Sequence, residues 1–284
     1  MIADSELILN ADGSIYHLNL LPEDIADTII FVGDPDRVGL VSQYFDSVDI
    51  KKGKREFITH TGTLRGKRLS VISTGIGTDN IDIVMNEVDS LKNVDFVTKS
   101  LKETLTSVDI IRIGTSGSVQ GNVPIGTILA SEYAVGFDTL MQFYIKPYSA
   151  VEVKIQEAIS EQFALLSFKP YVGKASARLL EQYASDLPKG ITMTAPGFYG
   201  PQGRCIRSHN VYPDLIAKAN SFIVDNRQIT NLEMETAGIY ALANMFGHHA
   251  ISINAILVSR VKEEFSDNPY DIIDHTIRYI LDRI

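Results

Sequence analysis

The chain has 284 residues, of which 45% are hydrophobic and 21% charged, so it can bury the core of one α/β domain over residues 1–284. Its formal net charge of −9 would repel a nucleic-acid backbone, which argues against nucleic acid as a partner. A single cysteine suits a reducing compartment, and the lack of a signal peptide or bilayer-long apolar stretch predicts a cytoplasmic protein without a membrane partner.

Short segments rich in β-branched residues are typical of strands, and helical spacing of apolar residues separates several of them. In chain order, the sequence predicts strands at 28–32, 69–73, 109–113, 127–131, 221–225 and 251–258. It predicts helices where apolar residues recur at helical spacing, over 151–166 and 273–284. This alternation indicates helices packed on a central sheet.

Turn-forming residues directly follow three of the predicted strands, at 33–35, 75–77 and 114–117. Ligands of open α/β sheets bind at the carboxyl ends of strands, so a site is expected at these turns. The polar segment 92–107 is expected to be a solvated helix or an excursion, and we assign it no chemistry.

Generic nucleotide and metal motifs are absent. There is no GxxxxGK[ST], and the glycine turn at 75–77 continues to Asn80 where a dinucleotide-binding fingerprint requires glycine. The adjacent His248 and His249 would point apart on a helix or a strand. The sequence therefore predicts no metal and no cofactor.

Three arginines, Arg37, Arg55 and Arg112, lie near strand ends. The planar fork of donors on arginine matches the oxygens of a small dianion such as phosphate, and the Gly-Thr-Ser-Gly turn at 114–117 would add a hydroxyl and backbone N–H groups. Taken singly, each is more often a surface ion-pair residue. Arg112 differs, because its apolar strand would bury the charge. Either an internal salt bridge or an anionic ligand would satisfy Arg112, and the sequence leaves both open.

Two further groups of residues suggest a nucleoside. Gln202 and Arg204 are two apart and would face the same side of an extended chain, where their donors and acceptor complement uracil, although a solvated loop is the alternative. Glu233 and Glu235 precede a helix, where they would suit its dipole or accept hydrogen bonds from ribose hydroxyls. Met234 would be an apolar wall behind the sugar, or simple core.

These motifs, taken in order, resemble the nucleoside phosphorylases of the uridine phosphorylase type. The matching segments are 33–37, 54–57, 112–117, 198–204 and 233–235, and the resemblance extends over nearly the whole chain, from 16 to 260. It implies a single α/β domain with a mixed central sheet flanked by helices. It also implies phosphorolysis of uridine, and of 2′-deoxyuridine, with inorganic phosphate as co-substrate and no cofactor. The minimal unit would be a homodimer, with a hexamer left open.

The resemblance also implies a role for each matching residue. The phosphate ligands would be Gly33, Arg37, Arg112 and Thr115, with Arg55 from a neighbouring subunit. The nucleoside contacts would be Ser116, Gly117, Phe198, Gln202, Arg204, Glu233, Met234 and Glu235, with His17 from the neighbour and Arg260 close to the base. Catalysis would rest on Arg37, Arg112, Gln202, Arg204 and Arg260.

Three features depart from the family pattern. Asp79-Asn80 replace a Pro-Ser pair beside a monovalent-cation site of some relatives, Ser259 stands where Asn is common, and the segment 92–107 is longer than usual.

Three other functions remain possible interpretations of the sequence: a purine nucleoside phosphorylase, a nucleosidase that uses water, and a nucleoside sensor without turnover. Arg260 favours a pyrimidine, because purine-specific relatives have Asp there to protonate N7.

Overall fold

Twelve of the fourteen strands form one mixed sheet in the computed structural model, which describes residues 1–284. The strands are β1 (Thr28–Val32), β2 (Ser47–Lys54), β3 (Phe57–Leu64), β4 (Lys67–Ser73), β5 (Val94–Asp95), β6 (Ser100–Leu101), β7 (Asp109–Ser118), β8 (Ile128–Gly136), β9 (Tyr171–Lys174), β10 (Lys189–Thr194), β11 (Ile223–Val224), β12 (Arg227–Glu233), β13 (His249–Ser259) and β14 (Glu264–Phe265). The helices are α1 (Pro35–Ser42), α2 (Thr78–Asn93), α3 (Ala150–Gln162), α4 (Ala177–Ala184), α5 (Leu215–Ser221), α6 (Thr236–Phe246) and α7 (Pro269–Leu281).

The strand order is β11-β12-β10-β8-β13-β7-β1-β4-β3-β2, with β9 paired to β8 and β14 to β13. Strands β4, β1, β7 and β13 run parallel, whereas β2, β3 and β4 form an antiparallel meander. Strand β12 also pairs with β7, through Leu232 and Gly117. The pairings β7-β13-β8-β10-β12-β7 therefore close a five-strand ring within the sheet.

Most of the predicted elements are confirmed. The predicted strands at 28–32, 69–73, 109–113 and 251–258 lie within β1, β4, β7 and β13, and 127–131 opens β8. The predicted helices are α3 and α7, although both end a few residues before the apolar pattern does. The pattern does not predict β2, because this edge strand carries three lysines and alternates between exposed and half-buried residues.

Two expectations about local structure are corrected, and one alternative is decided. The turn expected at 114–117 does not exist: β7 continues to Ser118, because β13 pairs with it along its whole length. In the strand predicted at 221–225, only Ile223–Val224 is extended, and Ser221 ends α5. Of the two structures expected for 92–107, a solvated helix or an excursion, the excursion is present: α2 ends at Asn93 and the small β5-β6 hairpin follows.

Helix α6 is apolar almost all round and almost entirely buried, as expected for a helix enclosed by other elements. It packs against β9, α2, β8 and β13, and the residue before its first turn, Glu235, contacts Arg112 of β7. None of the seven helices is long and apolar enough to cross a bilayer. The fold thus brings the start of α6 and the polar end of β12 to the carboxyl ends of β1 and β4.

Candidate active site

A cavity of about 660 Å³ opens where β1, β4, β7 and β12 end. Its volume falls in the range of small-molecule sites. It brings together most of the site residues predicted from the sequence, namely Gly33, Arg37, Arg112, Thr115, Ser116, Gly117, Phe198, Gln202, Arg204, Glu233, Met234 and Glu235. It does not include His17, Arg55 or Arg260.

Arg37 marks one end of the cavity. It lies in the first turn of α1, which Asp34 caps by accepting a hydrogen bond from the N–H of Asp36 at 3.0 Å. The guanidinium is buried, and its one protein hydrogen bond is a long one of 3.5 Å to the carbonyl of Ile113. Burial lowers the pKa of Arg37, and no carboxylate lies within ion-pair distance. A buried cation with unused donors is a strong attractor for an anion.

Arg112 lies beside it but is held very differently. Its Nη2 is 2.5 Å from Oε2 of Glu235 and 3.1 Å from Oε2 of Glu233. Its Nη1 donates to Oδ1 of Asn254 at 3.1 Å. Burial disfavours the charged guanidinium, but the two carboxylates outweigh this and raise the pKa of Arg112. The internal salt bridge that the sequence left open is therefore present, and the guanidinium lines the cavity as well.

Gly114 makes room for this arrangement. A Cβ atom at this position would lie 1.8 Å from Nη1 of Arg112, in the middle of its guanidinium. The glycine that looked like part of a turn is therefore needed within the strand, because the side chain of Arg112 folds across it.

The two glutamates before α6 bind different parts of the backbone. Glu233 accepts hydrogen bonds from the N–H of Glu235 and from the N–H and hydroxyl of Thr236, at 2.8–2.9 Å, and from Thr194 at 2.5 Å. It therefore holds the start of α6, as one of the two sequence interpretations has it. Glu235 reaches the glycine turn instead, where its Oε1 accepts from the N–H of Gly77 at 2.8 Å. Burial raises the pKa of Glu235.

Gln202 and Arg204 form the other end of the cavity. They meet as predicted, with Nη1 of Arg204 2.8 Å from Oε1 of Gln202, but the expected extended chain is wrong. Gln202 ends a 3-10 turn, and Gly203 follows in the left-handed region at φ 71°. Arg204 also donates to the carbonyl of Phe198 at 2.7 Å and stacks over its ring at 3.8 Å. Burial and the nearby Arg260 lower the pKa of Arg204 to about 10.

Arg260 stands behind this end rather than in it. Nη1 of Arg260 donates to the carbonyl of Gln202 at 2.7 Å. The Arg260 side chain lines a neighbouring surface cleft rather than the cavity itself. Burial lowers the pKa of Arg260. In this structure it anchors the loop that carries Gln202.

His17 and Arg55 lie outside the cavity of their own chain. Nδ1 of His17 is 2.7 Å from Oε1 of Glu87, and Arg55 is exposed at the turn between β2 and β3. Lys54 links the two segments, since its ammonium donates to the carbonyl of Tyr16 at 2.7 Å. The two residues therefore belong to one surface.

Several residues of the cavity wall were not expected from the sequence. Glu56 lines it and packs its Cγ against Gly75, while the neighbouring Arg55 faces outward. The motif at 54–57 contains Glu56, so the signal was available, but nothing in the motif indicated which of its residues faces the cavity. Four further lining residues, Asp34, Pro35, Gly75 and Ile76, lie in the turns where a site was expected, whereas Asn80, Leu232, Leu257, Val258 and Phe265 were not expected there. No group of three or more His, Cys, Asp or Glu side chains could hold a metal ion.

The fold is an α/β protein with a mixed sheet, and its cavity carries a buried arginine without a carboxylate partner, which suits a site for a small anion. Residues 27–277 match the family model described as the phosphorylase superfamily, and the chain belongs to that superfamily.

Its relatives are similar over most of their length. A uridine phosphorylase of Thermococcus kodakarensis is 30% identical over 258 residues, which are 89% of this chain and 80% of that protein. A crystal structure of a Trypanosoma brucei nucleoside phosphorylase, described as showing uridine phosphorylase activity, has a TM-score of 0.87 and 30% identity, with 98% of each chain covered. A purine nucleoside phosphorylase of Listeria monocytogenes is 25% identical over 239 residues, 84% of each chain. The fold expected from the sequence, a single α/β domain with a mixed sheet, is confirmed.

Proposed function

We propose that this enzyme cleaves uridine with inorganic phosphate to give uracil and ribose 1-phosphate, and that it accepts 2′-deoxyuridine. The observation that carries the proposal is the buried Arg37, which has no carboxylate partner and faces the same cavity as Gln202 and Arg204. The names of the Thermococcus and Trypanosoma relatives support the choice of uridine. We assign the reaction to cytoplasmic salvage or catabolism of pyrimidine nucleosides.

Phosphate would bind at the Arg37 end. Arg37 offers free donors, Thr115 offers a hydroxyl and Gly33 lets the backbone come close. Arg112 already makes three hydrogen bonds and an ion pair with Glu233 through its terminal nitrogens, so it would act on phosphate mainly through its charge and its Nε–H. The bound dianion would stabilise the positive charge that develops on C1′ of the ribose as the glycosidic bond breaks.

The departing uracil would meet the opposite end. The amide of Gln202 and the guanidinium of Arg204 lie together there and would stabilise negative charge on the uracil oxygens. Glu235 and Met234 line the wall between the two ends, where the ribose would lie. This division needs no protein nucleophile, metal or cofactor.

An absorbance assay with uridine tests the proposal. Cleavage should require phosphate and should yield ribose 1-phosphate. Equal turnover in phosphate-free buffer would indicate a nucleosidase, faster cleavage of inosine than of uridine would indicate a purine enzyme, and uridine binding without turnover would indicate a sensor.

We also propose that a neighbouring subunit completes each site. Arg55 and His17 share one surface outside their own cavity, which suits residues that reach across a two-fold interface. The homodimer would then be the smallest active unit, whether or not dimers assemble into a hexamer.

Mixing two inactive variants tests the shared site. Arg55→Ala and Arg112→Ala would lie on different chains of one composite site, so random subunit exchange should restore about a quarter of all sites. Mixed dimers seen by mass spectrometry without regained activity would show that Arg55 acts in its own subunit or has no role.

A further inference from the structure

Five buried polar side chains form an unbroken hydrogen-bonded chain inside the five-strand ring. Each strand of the ring contributes one member, in the order Asn254 from β13, Ser131 from β8, Thr192 from β10, Asn231 from β12 and Ser116 from β7. Successive donor–acceptor distances are 3.0, 2.5, 2.8 and 2.8 Å. The chain begins at Arg112, and Ser116 is back at the cavity wall.

Arg112 at one end and the carbonyl of Leu232 at the other fix the direction of the bonds in this chain. A guanidinium only donates, so the amide oxygen of Asn254 must face Arg112 and its NH₂ must face Ser131. The hydroxyl proton of Thr192 goes to the amide oxygen of Asn231 at 2.8 Å, so the bond between Ser131 and Thr192 must be donated by Ser131.

The far end of the chain is determined in the same way. The NH₂ of Asn231 donates to the hydroxyl oxygen of Ser116 at 2.8 Å, and the proton of Ser116 goes to the carbonyl of Leu232 at 2.8 Å. The hydroxyl of Ser116 therefore has no proton left for a ligand and can only accept a hydrogen bond in the cavity.

Such a chain is costly to keep for stability alone. Apolar side chains of similar size could fill the ring, and a buried polar network is retained without loss only when every member is satisfied. Asn254, Ser131, Thr192 and Asn231 contact no ligand cavity, yet they connect two residues that do. Their arrangement suits a device that orients Arg112 and Ser116 together.

We propose that Asn254 and Thr192 are positioning residues, which hold the guanidinium of Arg112 in the orientation that receives phosphate. The inference deepens the proposed function and rests on it for the identity of the anion. Asn254 acts directly on Arg112, whereas Thr192 acts through Ser131 by keeping the amide of Asn254 in place.

The experiment measures the dissociation constant of inorganic phosphate by calorimetry, with no nucleoside present. Asn254→Leu should weaken phosphate binding by about tenfold or more, as removal of a residue that orients a ligand does elsewhere. Thr192→Val keeps its shape and should weaken binding by about threefold, because only an indirect link is lost. The Thr192→Val variant also tests the proposal if Asn254→Leu fails to fold.

Thr59→Val is the matched control. Thr59 is equally buried, but its hydroxyl has no hydrogen-bond partner, so this variant should bind phosphate like the wild type. Phosphate dissociation constants within twofold of the wild type in folded Asn254→Leu or Thr192→Val, with a lower melting temperature alone, would overturn the proposal. A wild type that binds phosphate but does not cleave uridine would instead refute the proposed function and leave the phosphate comparison valid.

Discussion

The two ends of the cavity are built from different kinds of structure. At the phosphate end, Arg112 lies in the middle of a strand that pairs on both sides, and Arg37 lies in a helix that follows a strand directly. At the base end, Gln202 and Arg204 lie on a loop that is held by hydrogen bonds to two backbone carbonyls. One end is fixed by the sheet and the other by a few local contacts.

This difference suggests how the site can change its substrate without losing its chemistry. Altering the phosphate end disturbs strand register and buried charge, both of which carry large energetic costs. Altering the loop disturbs a turn and two arginine contacts, and loops tolerate change better than the elements they connect. We therefore expect turnover to depend on the sheet end and base choice on the loop end.

The largest effect should come from the two arginines of the sheet end. Arg37→Ala and Arg112→Ala should each lower kcat/KM by about 10²-fold or more, as for a lost partner of transition-state charge. Their stabilities should differ. Arg112→Ala strands two buried carboxylates and should cost about 3–5 kcal/mol in unfolding free energy. Arg37→Ala removes an unpaired buried cation and should leave the melting temperature unchanged or raise it.

Steady-state kinetics and thermal unfolding separate these outcomes, with Arg37→Lys as a control that keeps the charge. Equal destabilisation by both alanine variants would remove the distinction between a free arginine and a paired one.

Base choice should be lost at the loop end. Gln202→Ala should lower kcat/KM for uridine by about 10²-fold, since a site that hydrogen-bonds a ring discriminates by polar groups that would otherwise stay unpaired. Any weak inosine cleavage should change far less. Parallel assays of the two nucleosides measure the ratio, and equal losses for both would argue that the loop supports the site as a whole rather than selecting the base.

A pH profile tests the wall between the ends. Burial raises the pKa of Glu235 above its ordinary 4.5, so its carboxylate should be protonated at a higher pH than a solvated one, and kcat/KM should fall there as pH drops. The free energy of unfolding should depend on pH in the opposite direction to kcat/KM. The folded protein binds this proton more tightly than the unfolded chain, so the contribution of Glu235 is present at low pH and is lost as pH rises through the folded pKa. Glu235→Gln should lose both effects, and an unchanged acid limb in that variant would assign it to another group.

The smallest effect should come from Arg260. Arg260→Ala removes the anchor of the Gln202 carbonyl, and KM for uridine should rise about threefold while the phosphate constants stay unchanged. Initial rates measured with uridine and phosphate varied in turn give the two KM values that test this expectation. A loss of about 10²-fold, matching that of Gln202→Ala, would place Arg260 in direct contact with the base.

The sequence by itself determined the layered α/β class, most central strands and most of the cavity residues. These depend on local signals: β-branched runs mark strands, and a charged residue inside an apolar strand, such as Arg112, must find a partner. Glu233 and Glu235 were recognisable as a helix start for the same reason, since capping is a local property.

Only the tertiary structure decided which partner each polar group takes. Gly114 looks like a turn residue, yet β13 pairs along its strand and the side chain of Arg112 fills its empty face. Arg260 was expected close to the base, and the structure shows that it donates to the loop carbonyl of Gln202, 58 positions away. The polar chain within the ring joins five strands far apart in sequence. Strand register and ring closure place these groups together, and both are set by packing across the whole sheet, which no local pattern encodes.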